Sequence, residues 1–149
     1  MFISQLSVYL QNDKGTLRTL TKTLAENKID MLALSIADTT NFGIIRIVVK
    51  EEDIEKAKNV LTEKGIAVKV NHVLCVAVPN QPSGLDGVLA IIEENGICID
   101  YMYSLNNIVG NKALLVFRLS AEGMDKTQIA TLLASKGVIL LQQSDINRL

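Results

Sequence analysis

The chain has 149 residues, 48% of them apolar and 21% charged, with a formal net charge of −1 at pH 7. That balance belongs to a globular protein whose apolar area offsets the entropy of ordering the chain, and it excludes a long-range positive field that would gather phosphate backbones. With three Phe, three Tyr and no Trp, platforms for stacking bases are scarce as well, so nucleic acid is not an expected partner.

In chain order, Met1-Phe2-Ile3-Ser4-Gln5 shows neither a basic leader nor an unbroken apolar run. No apolar stretch reaches membrane-crossing length, so no membrane association is expected and the location read is cytoplasmic. A strand over Leu6-Ser7-Val8-Tyr9-Leu10 runs into the loop Asn12-Asp13-Lys14-Gly15-Thr16-Leu17. The spacing of Leu17, Leu20, Thr21 and Leu24 then predicts a helix with one buried face, ending at Glu26-Asn27-Lys28-Ile29. Met31 to Ala37 and Phe42 to Val49 read as a hairpin turning through Asp38-Thr39-Thr40-Asn41. If Ile45 and Ile47 face the helices, Ile44 and Val48 look outward. A second helix buries Ile54, Ala57 and Leu61, and its Glu51-Glu52-Asp53 start complements the helix dipole. Gly65 is placed for a left-handed C-cap before a strand over Ile66 to Val70.

The order then begins again. Leu74-Cys75-Val76-Ala77-Val78 leads into Asn80-Gln81-Pro82-Ser83-Gly84-Leu85, with the same spacing from Asn to Leu. Leu85, Val88, Leu89 and Ile92 form the next stripe, followed by Glu94-Asn95-Gly96-Ile97. Ile99 to Leu105 and Ala113 to Leu119 form a hairpin whose turn contains Asn106, Asn107, Gly110 and Asn111. The last helix buries Ile129, Leu132 and Leu133, and Gly137 precedes a strand over Val138 to Leu141. Strand, helix, strand, strand, helix, strand, twice over, defines an α+β fold of two ferredoxin-like βαββαβ modules. Each is a four-stranded antiparallel sheet with both helices on one face. The expected domains are 1–71 and 72–149. Because Asn71-His72 carries no Gly/Ser/Pro linker, the modules are expected to pack together, and the open sheet faces and edges point to a homodimer.

Each first loop joins a strand to a helix N-terminus, where backbone amides lack helical partners and the dipole is positive. A carboxylate fits such a place, with Gly15 or Gly84 admitting close backbone approach and Asn12 or Asn80 offering side-chain amides. Asn, Pro and Gly are also ordinary turn residues, and the spacing by itself leaves both readings open. Cys75 and Cys98 read as free, buried thiols without CxxC spacing. His72 stands alone, and no phosphate loop, nucleophile elbow, paired carboxylates or metal-ligand set is present, so no catalysis, cofactor or metal is expected. Tyr9, Tyr101 and Tyr103 read as too dispersed for a stacking platform.

The repeated loop resembles the [D/N]-x-P-G-x-L signature of ACT domains. Lys28-Ile29-Asp30-Met31 and Gly96-Ile97-Cys98-Ile99 are similar to that family's segment at the start of its second strand. Leu34-Ser35-Ile36-Ala37-Asp38-Thr39 with Phe42-Gly43-Ile44-Ile45-Arg46 resembles stand-alone tandem ACT proteins of bacteria and archaea, and the resemblance spans essentially the whole chain. It implies a regulatory sensor that binds a small-molecule amino acid at a domain interface and partners an enzyme of amino-acid metabolism. The alternative is a constitutive regulatory subunit, similar to the small subunit of acetolactate synthase. The implied ligand residues are Asn12, Asp13, Lys14, Gly15, Thr16 and Leu17 in one loop and Asn80, Gln81, Pro82, Ser83, Gly84 and Leu85 in the other, with Asp30 and Cys98 at the strand positions. Asp30 would meet an α-ammonium while loop amides hold the carboxylate. Lys14 departs from the signature's Pro and Ser83 from its Gly, which leaves open whether one site or both bind; Cys98 departs from the family's Asn, and that favours the pocket completed by Asp30.

Overall fold

The computed structural model describes residues 1–11, 13–38 and 42–149. Asn12 and the expected turn residues Thr39, Thr40 and Asn41 lie outside the described residues. The chain divides into two units, Ser4–His72 and Val73–Leu149, the latter joined by Met1–Ile3.

The first unit is built from β1 (Ile3–Gln11), α1 (Thr16–Glu26), β2 (Ala33–Asp38), β3 (Phe42–Val48), α2 (Glu51–Glu63) and the opening of β4 (Ala67–Pro79). Its strands lie in the order β2-β3-β1-β4, with β3 antiparallel to both β1 and β2. Alternation along the strands sends Leu6, Val8, Leu10, Ile45 and Ile47 to one face, where they pack on Leu20 and Leu24 of α1 and Ala57 and Leu61 of α2. Burying side chains of this size stabilises by roughly 1.5–3 kcal/mol each, and that term holds helices to sheet. Ser7 donates from its hydroxyl to Asn71 Oδ1 at 2.6 Å, tying β1 to β4.

In the second unit, the rest of β4 is followed by α3 (Pro82–Glu94), β5 (Cys98–Val109), β6 (Lys112–Ser120), α4 (Lys126–Ser135), β7 (Ile139–Leu141) and a short α5 (Gln143–Ile146). Here the order is β7-β4-β6-β5, the same split β-α-β plan. Leu74, Val76, Val78, Leu115 and Phe117 meet Val88 and Ile92 of α3 and Ile129 and Leu133 of α4. One strand, β4, therefore ends one copy and opens the next, and among the described residues seven strands do the work of eight.

Several expectations change. Leu17 is 38% exposed, and the buried stripe of α1 is Leu20, Thr23 and Leu24. Thr23 tolerates burial because its hydroxyl donates to Thr19 O at 2.7 Å. Val48 is fully buried although it faces away from the helices, and Cys98 is exposed, not buried. The first hairpin's opening strand starts at Ala33 instead of Met31. Asn106 and Asn107 lie inside β5, where a register shift between Ser104 and Ile108 absorbs them. The turn itself is Gly110-Asn111, both at positive φ (53° and 60°), the geometry a two-residue hairpin needs. Gly65 and Gly137 follow their helices at φ 76° and 87°, as expected of left-handed caps.

Candidate functional site

The two strand-to-helix bends share one backbone scheme at a constant offset. In the first, Asp13 N–H donates to Gln11 O at 2.8 Å and Thr16 N–H to Asp13 O at 3.4 Å. In the second, Gln81 N–H donates to Pro79 O at 2.8 Å and Gly84 N–H to Gln81 O at 3.0 Å. The ends of the helices match too: Asn27 Nδ2 donates to Thr23 O at 2.8 Å, and Asn95 Nδ2 to Ile91 O at 2.7 Å. Lys28 and Gly96 then take left-handed φ values of 57° and 67°.

The bends diverge where their residues do. Gly15 takes φ +85° and caps α1, its carbonyl accepting Thr19 N–H at 2.9 Å. The Thr16 hydroxyl points between the carbonyls of Asp13 (2.9 Å) and Gln11 (3.1 Å). In the second bend no residue is left-handed. Pro82, with φ already helical, starts α3 directly after Gln81, so the helix begins before the point that matches Gly15. Gly84, in the position of Thr16, sits so close to the Pro79 carbonyl oxygen that a Cβ would collide with it. The missing side chain lets α3 seat tightly against the end of β4. Gln81 Nε2 donates to Ser83 Oγ at 3.1 Å, and Asn80 N–H to Asn111 O at 3.0 Å, which links this bend to the β5–β6 turn.

Neither α1 nor α3 has a side-chain cap hydrogen bond or an acidic first turn. The positive ends of both helices therefore open onto the bends without a carboxylate of the chain's own in the first turn. Asp13, Lys14, Gly15 and Leu17 are exposed, as are Asn80, Gln81, Pro82 and Ser83, while Leu85 is half-buried. Asp30 is exposed and precedes β2 instead of lying in it; Cys98, at the matching offset, is the first residue of β5 and pairs with Ser120. Beside it Asp100 accepts from Ser120 Oγ at 2.8 Å and faces Arg118 Nε at 3.7 Å. The structure thus gathers each bend around its own helix start, while Asp30 enters no ion pair among the described residues.

Cys75 is fully buried, and burial, followed by the Asp145 carboxylate, pushes its thiol up from 9.0 to about 12. Such a thiol is not a nucleophile near neutrality. Among the described residues no three His, Cys, Asp or Glu are grouped to hold a metal, and no helix is long and apolar enough to cross a membrane. Two features escaped the sequence reading. Tyr101 and Tyr103, expected to be dispersed, stack with ring centroids 6.5 Å apart, because residues two apart on a strand share a face. The other is α5, whose only sequence signal is Gln142 followed by Asp145: Gln142 N–H donates to Asp145 Oδ2 at 2.8 Å.

Comparison with known proteins bears on this geometry. The ACT domain pair family matches residues 1–147. Protein BT0572 from Bacteroides thetaiotaomicron is 36% identical, with a TM-score of 0.85 over 100% of this chain and 98% of its own. The ligand-free regulatory subunit of aspartate kinase from Thermus thermophilus shares the fold at 16% identity and TM-score 0.59, over 90% of this chain and 91% of its own. Its counterpart from Thermus flavus does so at 15% and 0.55, over 90% of each chain. No curated protein sequence matches the chain.

Proposed function

The chain belongs to the ACT domain pair family, and from that premise we propose that it is a regulatory sensor binding a free amino acid at its strand-to-helix bends, without chemistry of its own. The observation that carries the reading is the duplicated bend: two exposed turns with one hydrogen-bond scheme, each opening onto a helix start with no side-chain cap. An α-carboxylate complements those amides and the positive end of the dipole. The first bend is the better site. Gly15 at φ +85° presents backbone without a Cβ, nothing lies within 4 Å of where one would be, and Lys14 adds a cation. Asp30 supplies the partner for the α-ammonium. The active form is a homodimer, held partly by Leu34 and Ile36, which are 38% and 52% exposed on the edge strand β2. Occupancy is passed to an enzyme of amino-acid metabolism, a role in keeping with the regulatory subunits that share the fold.

Thermal-shift and calorimetric titration against the twenty amino acids tests the proposal. One or a few should raise the melting temperature, with stabilisation of about 2.7 kcal/mol at a hundredfold excess over Kd. Asp30→Ala should weaken that binding about tenfold. Absence of any response at millimolar concentration would overturn the sensing role and leave a constitutive subunit, recognised by co-purification with an enzyme regardless of amino acids.

A further inference from the structure

The second unit has a pocket on the face of its sheet turned away from α3 and α4. Its floor follows from strand register. Ala77 of β4 lies directly between Leu114 of β6 and Ile139 of β7. Leu74, Val76 and Val78 fill the helix side, so alternation points Ala77 to the other side. A methyl group between two long aliphatic side chains leaves a hollow. Lys112 and Val109, paired across the β5–β6 turn, close one end. Helix α5 forms a wall: Ile146, fully buried, anchors it, and Asp145 and Arg148 reach the pocket. The pocket, partly open to solvent, has a volume of about 390 Å³, within the range of small-molecule sites. Ile139 and Val109, at 44% and 47% exposed, leave apolar surface in contact with water at its mouth.

The charges are not symmetric. The Asp145 carboxylate is engaged, accepting Gln142 N–H at 2.8 Å and facing Arg148 at 3.8 Å. Lys112 enters no ion pair among the described residues. We propose that this pocket is a second ligand site, distinct from the strand-to-helix bends, for a small carboxylate with an aliphatic body. The chain lies over Ala77 between Leu114 and Ile139, and the carboxylate meets Lys112 and Arg148. That shared chemistry has two sources, a simple fatty acid or a long-chain α-amino acid, and only the latter carries an ammonium beside its carboxylate.

Three eight-carbon compounds test the site: octanoate, L-2-aminooctanoate and 1-octanol, followed by calorimetry and by methyl NMR of Ala77, Leu114 and Ile139. At least one acid should move those three methyl signals, and the alcohol should leave them in place at equal concentration. Tighter binding of the amino acid identifies the zwitterionic source, and tighter binding of octanoate the simple acid. Lys112→Gln should weaken binding about tenfold, the loss of one charge-assisted contact. Ala77→Leu should abolish it by filling the hollow; if that variant fails to fold, Ile139→Ser, at an exposed position, should weaken it instead. Asp30→Ala should leave it unchanged, which separates this site from the bends. Equal binding of the alcohol, methyl signals unmoved by both acids, or signals that move only on self-association would each overturn the proposal.

Discussion

Gly84 and Gly15 stand in matching bends yet are required for opposite reasons. Gly15 has open space where a Cβ would go but sits at φ +85°, so Gly15→Ala meets a backbone cost of about 1–2 kcal/mol. Gly84 has an ordinary helical backbone and no room, so Gly84→Ala must push α3 away from the Pro79 carbonyl, about 1–3 kcal/mol. Urea unfolding of the two variants measures both. A Gly84→Ala protein as stable as the parent would contradict the tight seating described for α3. The cysteines give a second contrast. Exposed Cys98 should react with an aromatic disulfide reagent in the folded protein and Cys75 should not. Because the folded-state pKa of Cys75 is raised, unfolded chain loses this proton first as pH climbs. Its contribution is therefore complete below about pH 9 and is lost towards about pH 12. Melting temperature should fall through that window, and less steeply in Cys75→Ala; identical slopes would remove Cys75 as the cause.

At the scale of elements, the repeat made most of the fold legible. Apolar spacing located α2 through Ala57 and Leu61 and α4 through Ile129 and Leu133, and Gly65 and Gly137 marked where those helices stop. What stayed hidden was hidden for physical reasons. Pro82 and Lys14 occupy equal positions in the text, but only proline fixes φ, so the second helix starts early and the bend loses its left-handed residue. Asn106 and Asn107 look like a turn, yet Gly110-Asn111 makes a tighter one and the asparagines are carried as a strand irregularity. The bends were legible as candidate sites; the α5 pocket was not, because a hollow over Ala77 is a property of cross-strand neighbours and leaves no local pattern. α5 has only four residues and cannot persist on propensity, so Ile146 must hold it. Ile146→Ala should cost about 2–5 kcal/mol, read by urea denaturation, and should also abolish carboxylate binding in the pocket. A loss under about 1 kcal/mol, the scale of a surface substitution, would mean that α5 is held by something else.

On the scale of the whole chain, sequence order and spatial units differ at the start. Met1–Ile3 precede the first copy but belong with the second. Phe2 packs against the second core, with Lys126 Nζ 5.3 Å from its ring centroid, and Ile3 is fully buried. Phe2→Ala should therefore raise amide exchange in α4 more than in α1 or α2, a pattern that hydrogen-exchange mass spectrometry resolves peptide by peptide. Faster exchange confined to α1 and α2 would assign Phe2 to the wrong unit.

The unbroken run of β4 also limits how this chain can change length. One extra residue between Cys75 and Val76 would reverse the facing of the rest of the strand inside the second unit: Val76 and Val78 would turn outward, and Ala77 would turn into a core shaped for larger side chains. Two extra residues would restore the facing. Viable length variants within this stretch should therefore differ by even numbers, a parity rule that a surface loop would never impose.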